Sequence, residues 1–316
     1  MGIAKKSIPD ELSPLVSVCI PTYNRAAKLE RAVQALLNCD YSNIEVLISD
    51  NASPDHTSVV CERFMALDKR VKYHRHQRNM GGAFNFFYAR SMAKGKYFLW
   101  HGDDDFLDSK LISKCVEMLE VEGELVLVSG LAAYHRGDMK ITHYGNIIQL
   151  QSDHPWLRAF KYLWLVKDNS IFCGVYRVDS VKECEAADIF PGDWAWIIEV
   201  LLTGKARVLP DLFVYREFGN TLSSSKKGYS HFVRVTGLPT WYAIFPWIAK
   251  SRDVGLYFIE RSKITNRYKF CKKYLFSFCI VGLLLARGAY GFPRRILSMI
   301  PFARTLYYRC FHKYGY

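Results

Sequence analysis

The sequence predicts an α/β fold, in which a mostly parallel, Rossmann-like sheet is flanked by helices and followed by a helical, basic carboxy-terminal region. Two observations carry this prediction. Short β-branched runs alternate with amphipathic segments in the first third of the chain, which is the pattern of a parallel sheet covered by helices. The 316 residues are 50% hydrophobic, enough to bury one large core, or one α/β domain plus a smaller appendage.

Four strands are expected in the amino-terminal third, at Leu15–Ile20, Ile44–Ser49, Val71–Arg75 and Lys96–His101. Apolar residues recur at helical spacing from Leu29 to Leu37, and a second helical stretch runs from the Gly81–Gly82 pair to Lys94. Polar loops reading PTYNR, SDNAS and GDDD follow three of the strands. Because ligands bind beyond the carboxyl ends of parallel strands, these loops are predicted to form one site.

The pattern changes from about Glu124. Strands are predicted at ELVLVS, IFCGVYRV, ARVLP and LFVYRE, with a polar stretch to Gln151 and helices near Trp156–Val166 and Pro191–Gly204. After the loop GNTLSSSKKG, apolar aromatic runs are interleaved with lysine and arginine. The run from Tyr274 to Ala286 has 13 residues, fewer than the roughly 20 that a spanning helix needs, so it is interpreted as an interfacial or a buried helix.

The net charge of +13 is concentrated at the carboxyl end. Residues 261–316 hold 12 basic residues and no Asp or Glu, whereas the first 260 residues hold 31 basic and 30 acidic side chains. The globular body is therefore nearly neutral, and any function of the positive charge belongs to the tail.

The amino terminus has no apolar run behind its two lysines, so a secretory signal peptide is not expected. Nine cysteines occur without a CxxC pair, and their number is odd. This suggests reduced thiols in the cytosol and argues against a structural zinc site.

Three adjacent aspartates, Asp103, Asp104 and Asp105, repel one another unless a cation or strong hydrogen-bond donors neutralise them. Two interpretations are open. The triplet could be a solvated acidic turn. Alternatively, one or two of its carboxylates could hold Mg²⁺ or Mn²⁺, with the diphosphate oxygens of a nucleotide completing the coordination.

The order of the motifs favours the second interpretation. VSVCIPTYNR, VLISDNAS, RNMGGAFN and GKYFLWHGDDDF in succession resemble the family 2 glycosyltransferases of GT-A fold, of the kind that builds bacterial surface polysaccharide, over roughly Leu15 to Leu222. The resemblance implies inverting, metal-dependent transfer of a sugar from a nucleotide diphosphate, with UDP as the expected nucleotide, to a saccharide or a polyprenyl-diphosphate-linked acceptor. It also implies a nucleotide-sugar-binding half at residues 1–125, an acceptor-binding half at 126–228 and a membrane-associating region at 229–316.

The resemblance assigns donor binding to residues in four loops: Pro21, Tyr23, Asn24, Arg25, Asp50, Asn51, Arg78, Asn79, Gly82, Asp103 and Asp104. Asp105, together with Asp103, is the expected metal ligand, and Mn²⁺ or Mg²⁺ the expected cofactor. The loop SDNASPDHT departs from the family pattern after Asp50, which leaves the base open. Asp50 could also be a turn former or helix cap, and Arg78 part of an exposed basic turn.

The resemblance makes Asp193 the candidate catalytic base, which would take the proton of the acceptor hydroxyl. Glycine stands where the family has a first acid, as Gly192-Asp193, and an Asp at a helix start could instead be a cap. Trp194 and Trp196 could form a platform for a sugar or belong to the core. Tyr215, Arg216 and Ser223 match a later loop that could form a lid.

The basic, aromatic tail suits an anionic membrane surface, which predicts a cytoplasmic protein held peripherally at the inner face of the plasma membrane. No nucleic acid is expected as a partner, because no RNA-binding motif accompanies the charge. One alternative is an inactive membrane-associated scaffold of the same fold. A sugar-nucleotide-forming nucleotidyltransferase would require a glycine-rich basic loop after the first strand, which PTYNR is not.

Overall fold

A computed structural model describes residues 13–136, 140–166, 168–185, 191–217, 239 and 246–288. Nine strands lie within these ranges: β1 Val16–Thr22, β2 Ile44–Asp50, β3 Val71–Arg75, β4 Tyr97–Trp100, β5 Phe106–Leu107, β6 Leu125–Arg136, β7 Lys140–Tyr144, β8 Val175–Arg177 and β9 Lys205–Glu217. They alternate with the helices α1 Ala26–Leu37, α2 Thr57–Leu67, α3 Gly82–Ser91, α4 Leu111–Val121, α5 Pro155–Leu165, α6 Val178–Val181, α7 Gly192–Thr203, α8 Pro246–Glu260, α9 Lys263–Asn266 and α10 Phe270–Gly288.

The strands form one sheet in the order β3-β2-β1-β4-β8-β6-β9-β5, with β7 paired to β6. The pairs β3–β2, β2–β1 and β1–β4 are parallel, which confirms the predicted amino-terminal architecture. The other half of the sheet is mixed, since β6–β9 is parallel and β8, β7 and β5 pair antiparallel to their neighbours. A helical carboxy-terminal region is present, as predicted.

Several local predictions need correction. Strand structure was expected across IFCGVYRV, but Ser170–Cys173 is a 3₁₀ turn and only Val175–Arg177 is a strand. ARVLP and LFVYRE form one strand, β9, which spans a register shift against β6 between Gly130 and Leu131. The polar stretch before Gln151 contains the β6–β7 hairpin. Helices α2 and α4 were not anticipated, although α4 buries five apolar residues at helical spacing.

The core between the sheet and its helices is built by β1 and β2, in which every residue is buried. Helix α1 covers them with Leu29, Val33 and Leu36. Burying such a side chain contributes about 2 kcal/mol, so this apolar stripe fixes the helix, and with it the loop that leads into it, against the sheet.

The chain divides into two compact units. The first contains the described residues within 1–149, 167–182 and 204–220, and therefore the whole sheet. The second contains those within 150–166, 183–203 and 221–316. The predicted boundaries at residues 125 and 228, between the donor-binding half, the acceptor-binding half and the carboxy-terminal region, stay a prediction.

The second unit consists mainly of helices within its described ranges. Its largest fully buried side chains are aromatic and come from α5, α7, α8 and α10: Tyr162, Trp196, Tyr257, Phe258 and Phe276. Among the described residues, no helix combines the length and the hydrophobicity that crossing a membrane requires.

Candidate active site

The three polar loops meet at the carboxyl ends of the parallel strands β1, β2 and β4. The register pairs Thr22 with Asp50, and Cys19 with Trp100, so the three strands end side by side. Hydrogen bonds then tie the loops together. The Asn51 amide donates to the Thr22 carbonyl, and the Asn85 side chain, from α3, donates to the same oxygen.

The loop after β1 is held by the loop after β2. The Asn24 amide donates to Ser53 Oγ at 2.9 Å, and the Ala26 amide, in the first turn of α1, donates to Asp55 Oδ2 at 3.0 Å. Asn24 and Ala52 have φ values of 57° and 63°, the left-handed region. Asparagine tolerates this conformation, whereas for alanine it is energetically unfavourable, so Ala52 holds backbone strain beside the site.

Asp50 is fully buried, and both of its oxygens are engaged. Oδ1 accepts from the Ser53 amide at 2.8 Å, and Oδ2 accepts from the Tyr73 hydroxyl at 2.7 Å. Arg75 Nε lies 3.6 Å from Oδ2. These are the contacts of a turn-forming residue, so a nucleotide base would have to share an oxygen with one of these donors.

Asn51 and Asn79 join the second loop to the start of α3. Asn51 Nδ2 donates to Asn79 Oδ1 at 2.8 Å, and Asn51 Oδ1 accepts from the Met80 amide at 2.7 Å. Gly81 has a φ of +90°, which favours glycine. Gly82 then begins α3. Arg78 is exposed in this segment, so its guanidinium is accessible to an anion.

The acidic loop after β4 carries the densest charge. Asp103 is 7% exposed, and its Oδ2 accepts from Thr22 Oγ1 at 2.8 Å. Arg25 Nη1 bridges two carboxylates, at 3.1 Å from Asp103 Oδ1 and 2.6 Å from Asp104 Oδ2. Lys28 Nζ lies 3.5 Å from the same Asp104 oxygen.

The acidic loop runs directly into β5, whose pairing with β9 brings the end of β9 alongside it. The pair Phe106–Tyr215 sets this register. Arg216 Nε lies 3.3 Å from Asp105 Oδ2 and 3.4 Å from Oδ1, with hydrogen-bond geometry only to Oδ1. Glu217 Oε2 accepts from Lys28 Nζ at 2.5 Å. Three consecutive residues of β9 therefore line or approach the acidic loop.

Burial perturbs the charges of this loop. It raises the pKa of Asp103 to about 6, although Arg25 and Thr22 favour the ionised form. Burial opposes the charge of Arg25, but the Asp103 and Asp104 carboxylates outweigh it and raise the Arg25 pKa. The Asp105 carboxylate raises the pKa of Arg216. The site therefore concentrates anions inside the protein and supplies fixed cations against them.

The carboxylates suit a hard divalent cation. Among the described residues, Asp105 Oδ2 and His101 Nε2 are buried without a hydrogen bond, which is costly for a polar atom unless something else contacts it. No group of three His, Cys, Asp or Glu within the described ranges is arranged to hold a metal by itself. Mg²⁺ and Mn²⁺ commonly bind through one or two carboxylates plus substrate phosphates, so the donor set fits.

Asp193 lies in the first turn of α7, in the second unit. Trp194, beside it, is half-buried, with its ring under Lys250 Nζ at 4.8 Å and 6.3 Å from the Tyr162 ring. Trp196 is completely buried, which identifies it as a core residue instead of a platform. Ser223 lies outside the described residues.

The profile of glycosyl transferase family 2 matches residues 17–184. The chain is 24% identical to the GalNAc(5)-diNAcBac-PP-undecaprenol beta-1,3-glucosyltransferase of Campylobacter jejuni, over 91% of this chain and 94% of that protein. It is 31% identical to glycosyltransferase GlyG of Streptococcus pneumoniae, over 42% of this chain and 44% of that one. Abequosyltransferase RfbV of Salmonella typhimurium is 30% identical over 49% of this chain and 45% of its own length. The match thus spans less than half of two of these relatives.

Solved structures with the same fold include S. aureus TarS residues 1–349, with a TM-score of 0.55 and 14% identity, covering 93% of this chain and 86% of that one. The mannosyltransferase PcManGT from Pyrobaculum calidifontis, in complex with GDP-Man and Mn²⁺, has a TM-score of 0.50 and 15% identity, covering 94% and 84%. The fold is therefore GT-A. The chain belongs to glycosyl transferase family 2, and it is a glycosyltransferase.

Sequence reasoning missed four side chains beside the acidic loop: Thr22, Lys28, His101 and Glu217. Lys28 lies in the first turn of α1, three residues after Arg25, which immediately precedes the helix, so helical spacing could have found it. The pairing of β5 with β9 positions Glu217, and no local pattern announces that contact.

Proposed function

We propose that this glycosyltransferase transfers a sugar from a nucleoside diphosphate donor, with a UDP-sugar as our first choice, by an inverting, metal-dependent reaction. The observation that carries the proposal is that the loops after β1 and β2 meet the acidic loop after β4, where Asp103 contacts Thr22 and Arg25. The relatives support it: PcManGT was solved with GDP-Man and Mn²⁺, and TarS with UDP-GlcNAc.

The proposed donor-binding residues line three of these loops and the start of α3. Tyr23 is 45% exposed, which leaves its ring available to stack on a base. Arg25 and Arg78 would contact phosphate oxygens through their guanidinium groups. The remaining residues of the proposed donor site are Pro21, Asn24, Asp50, Asn51, Asn79, Gly82, Asp103 and Asp104.

Asp105 and Asp103 are the proposed holders of Mn²⁺ or Mg²⁺. When bound there, the ion would supply positive charge to the departing diphosphate. Arg25 contacts Asp103 and Asp104, and Lys28 contacts Asp104, so both add positive charge beside the acidic loop. These cations come from the protein itself, so the start of α1 and the residue before it would supply part of the leaving-group stabilisation.

Asp193 is the proposed general base. It would take the proton of the acceptor hydroxyl while that oxygen bonds to the anomeric carbon and the bond from that carbon to the diphosphate breaks. Asp193 lies in the first turn of α7, near the positive end of the helix dipole.

The acceptor is proposed to be a saccharide or a polyprenyl-diphosphate-linked saccharide, in synthesis of a surface polysaccharide such as O-antigen or capsule. The Campylobacter jejuni relative, which aligns along most of both chains, carries an undecaprenol-linked substrate in its name. The Salmonella typhimurium relative is named an abequosyltransferase.

A lipid-linked acceptor fits a protein held at the inner face of the plasma membrane, and helix α10 is the proposed contact. One face buries Phe276, Ile280 and Leu284. The opposite face is also apolar, with Leu275 54% exposed and Phe278 77% exposed. An exposed apolar face of this kind marks a surface that contacts another apolar environment. Twelve basic residues and no acidic ones between 261 and 316 favour anionic lipid as that environment.

Vesicle binding tests the membrane proposal. Phe278→Ser should lower co-sedimentation with phosphatidylglycerol vesicles several-fold, because it removes an inserted ring. Val121→Ser, at an equally exposed apolar position (78%) in the first unit, is the matched control and should bind like the wild type. Equal loss in both variants, or in neither, would contradict insertion of this face.

The glycosyl transfer is tested by incubating the protein with Mn²⁺, a membrane lipid extract and a panel of sugar nucleotides, and scoring nucleoside diphosphate release. Release from one donor should be abolished by chelation and reduced at least 10³-fold by Asp193→Asn, with donor affinity retained. Asp179→Asn is the control, since Asp179 also occupies a first helical turn, in α6. If no donor gave release or bound, the proposal would fail and an inactive scaffold would replace it.

A further inference from the structure

Each aspartate of the acidic loop already has a cationic partner within the first unit. Arg25 contacts Asp103 and Asp104, Lys28 contacts Asp104, and Arg216 contacts Asp105. Arg25 and Lys28 lie at the start of α1, whereas Arg216 lies near the end of β9, far along the chain. The neutralisation of the loop therefore depends on the tertiary fold. The loop is thus far less anionic than its sequence suggests.

The local charges nearly cancel. The four carboxylates are those of the acidic loop plus Glu217, and the three cations are Arg25, Lys28 and Arg216. A single net negative charge attracts a divalent ion only weakly, because the ion must give up part of its hydration shell to bind. Moreover, Asp103 Oδ1, one of the oxygens proposed to bind the ion, is the oxygen that Arg25 Nη1 contacts at 3.1 Å.

The two arginines differ in how firmly their side chains are held. Arg216 has a side-chain exposure of 21% and pairs with a carboxylate that is only 4% exposed. The Arg25 side chain is 38% exposed and immediately precedes α1. A half-solvated guanidinium can turn away at modest cost, whereas a buried pair cannot be separated without leaving a buried charge. Arg25 is therefore the exchangeable counter-ion of the loop.

We propose that Arg25 competes with the divalent ion for the acidic loop. The diphosphate of the donor relieves this competition, because its oxygens accept hydrogen bonds from the Arg25 guanidinium and draw it away from the carboxylates. Metal and nucleoside diphosphate then bind cooperatively, each strengthening the other by the same factor. The inference rests on the proposed function for the presence of both ligands, and it assigns to Arg25 a role in coupling them in addition to contacting the donor.

The test measures Mn²⁺ affinity by electron paramagnetic resonance of the free ion, on the full chain, with and without UDP. The wild type should bind Mn²⁺ at least tenfold more tightly when UDP is present. Arg25→Gln should bind Mn²⁺ alone at least tenfold more tightly than the wild type, and should gain less from UDP. Arg25→Lys retains the charge and should resemble the wild type.

Arg63→Gln is the matched control. It removes the same charge at an exposed ion pair between α2 and Glu30 of α1, outside the acidic loop, and should leave Mn²⁺ affinity unchanged. If Arg25→Gln bound Mn²⁺ no better than Arg63→Gln while the wild type still bound Mn²⁺ with UDP, the competition would be refuted and the proposed function would stand. If no variant bound Mn²⁺ under either condition, the metal site and this inference would both be overturned.

Discussion

Replacing Glu199 with glutamine should remove most of a pH dependence built into the second unit. Glu199 lies in α7 and is completely buried. Its Oε1 accepts from Ser262 Oγ at 2.6 Å, and its Oε2 accepts from the Glu185 amide at 3.0 Å. It therefore joins α7 to the start of α9 through its side chain.

The sign follows from the pKa. Burial raises the pKa of Glu199 from 4.5 to about 7, against the opposing effect of the hydrogen bond from Ser262. The folded state therefore retains a proton that the unfolded state loses. Stability is unaffected below pH 4, declines as the pH rises from 4.5 towards 7, and levels off above that range. A shift of this size corresponds to about 3 kcal/mol.

Glutamine cannot ionise, so this decline should be absent in Glu199→Gln. The NH₂ group of the glutamine side chain must face either the Ser262 hydroxyl or the Glu185 backbone amide, and both donate hydrogen bonds in the wild type. The variant is therefore expected to be less stable than the wild type at pH 5 by about 2 kcal/mol. The difference should shrink or reverse at pH 8. Urea unfolding followed by circular dichroism at pH 5, 6, 7 and 8 measures it, with Glu62→Gln, at an exposed carboxylate, as the control. Parallel pH profiles for wild type and Glu199→Gln would refute the reasoning.

Three further substitutions test the first unit by urea unfolding at pH 7. Gly95→Ala should cost about 2 kcal/mol, because a Cβ there would lie 2.5 Å from the Leu15 carbonyl oxygen; unchanged stability would show that the backbone gives way. Tyr73→Phe removes the hydrogen bond to Asp50 and should cost about 1.5 kcal/mol; no loss would mean that water replaces the hydroxyl. Ala52→Gly should raise stability by up to about 1 kcal/mol by relieving a φ of 63°, and a loss would contradict backbone strain.

The amino-terminal half of the fold could be predicted because its signals are local. Strands β1 and β2 are continuous apolar runs ending at polar loops, and their parallel pairing follows from the helices between them. The β6–β7 hairpin and the joined strand β9 could not be predicted in the same way. Polar residues interrupt their alternation, and the register of β9 shifts where it passes Gly130. Strand identity there depends on partners distant in sequence.

The candidate site divides along the same line. Motif order placed Asp103 and Arg25 in loops that the structure does bring together. The roles of Arg25 and Arg216 as ion-pair partners of the acidic loop could not be predicted, because a sequence motif does not show which charges meet. The sequence matches Tyr215 and Arg216 to a loop that could form a lid, and the β5–β9 pairing places Arg216 against Asp105.

The acidic loop and the basic carboxy-terminal region are separate in the chain, and the roles proposed for them are experimentally distinguishable. Cations of its own unit nearly neutralise the acidic loop. The excess positive charge of the chain, which is concentrated after residue 260, is therefore not needed to balance that loop. Interactions with a lipid surface act across solvent and weaken as salt shortens the screening length, whereas contacts at the buried carboxylate of Asp105 are screened much less. Raising the salt concentration should therefore release the protein from anionic vesicles well before it affects binding of Mn²⁺ with UDP.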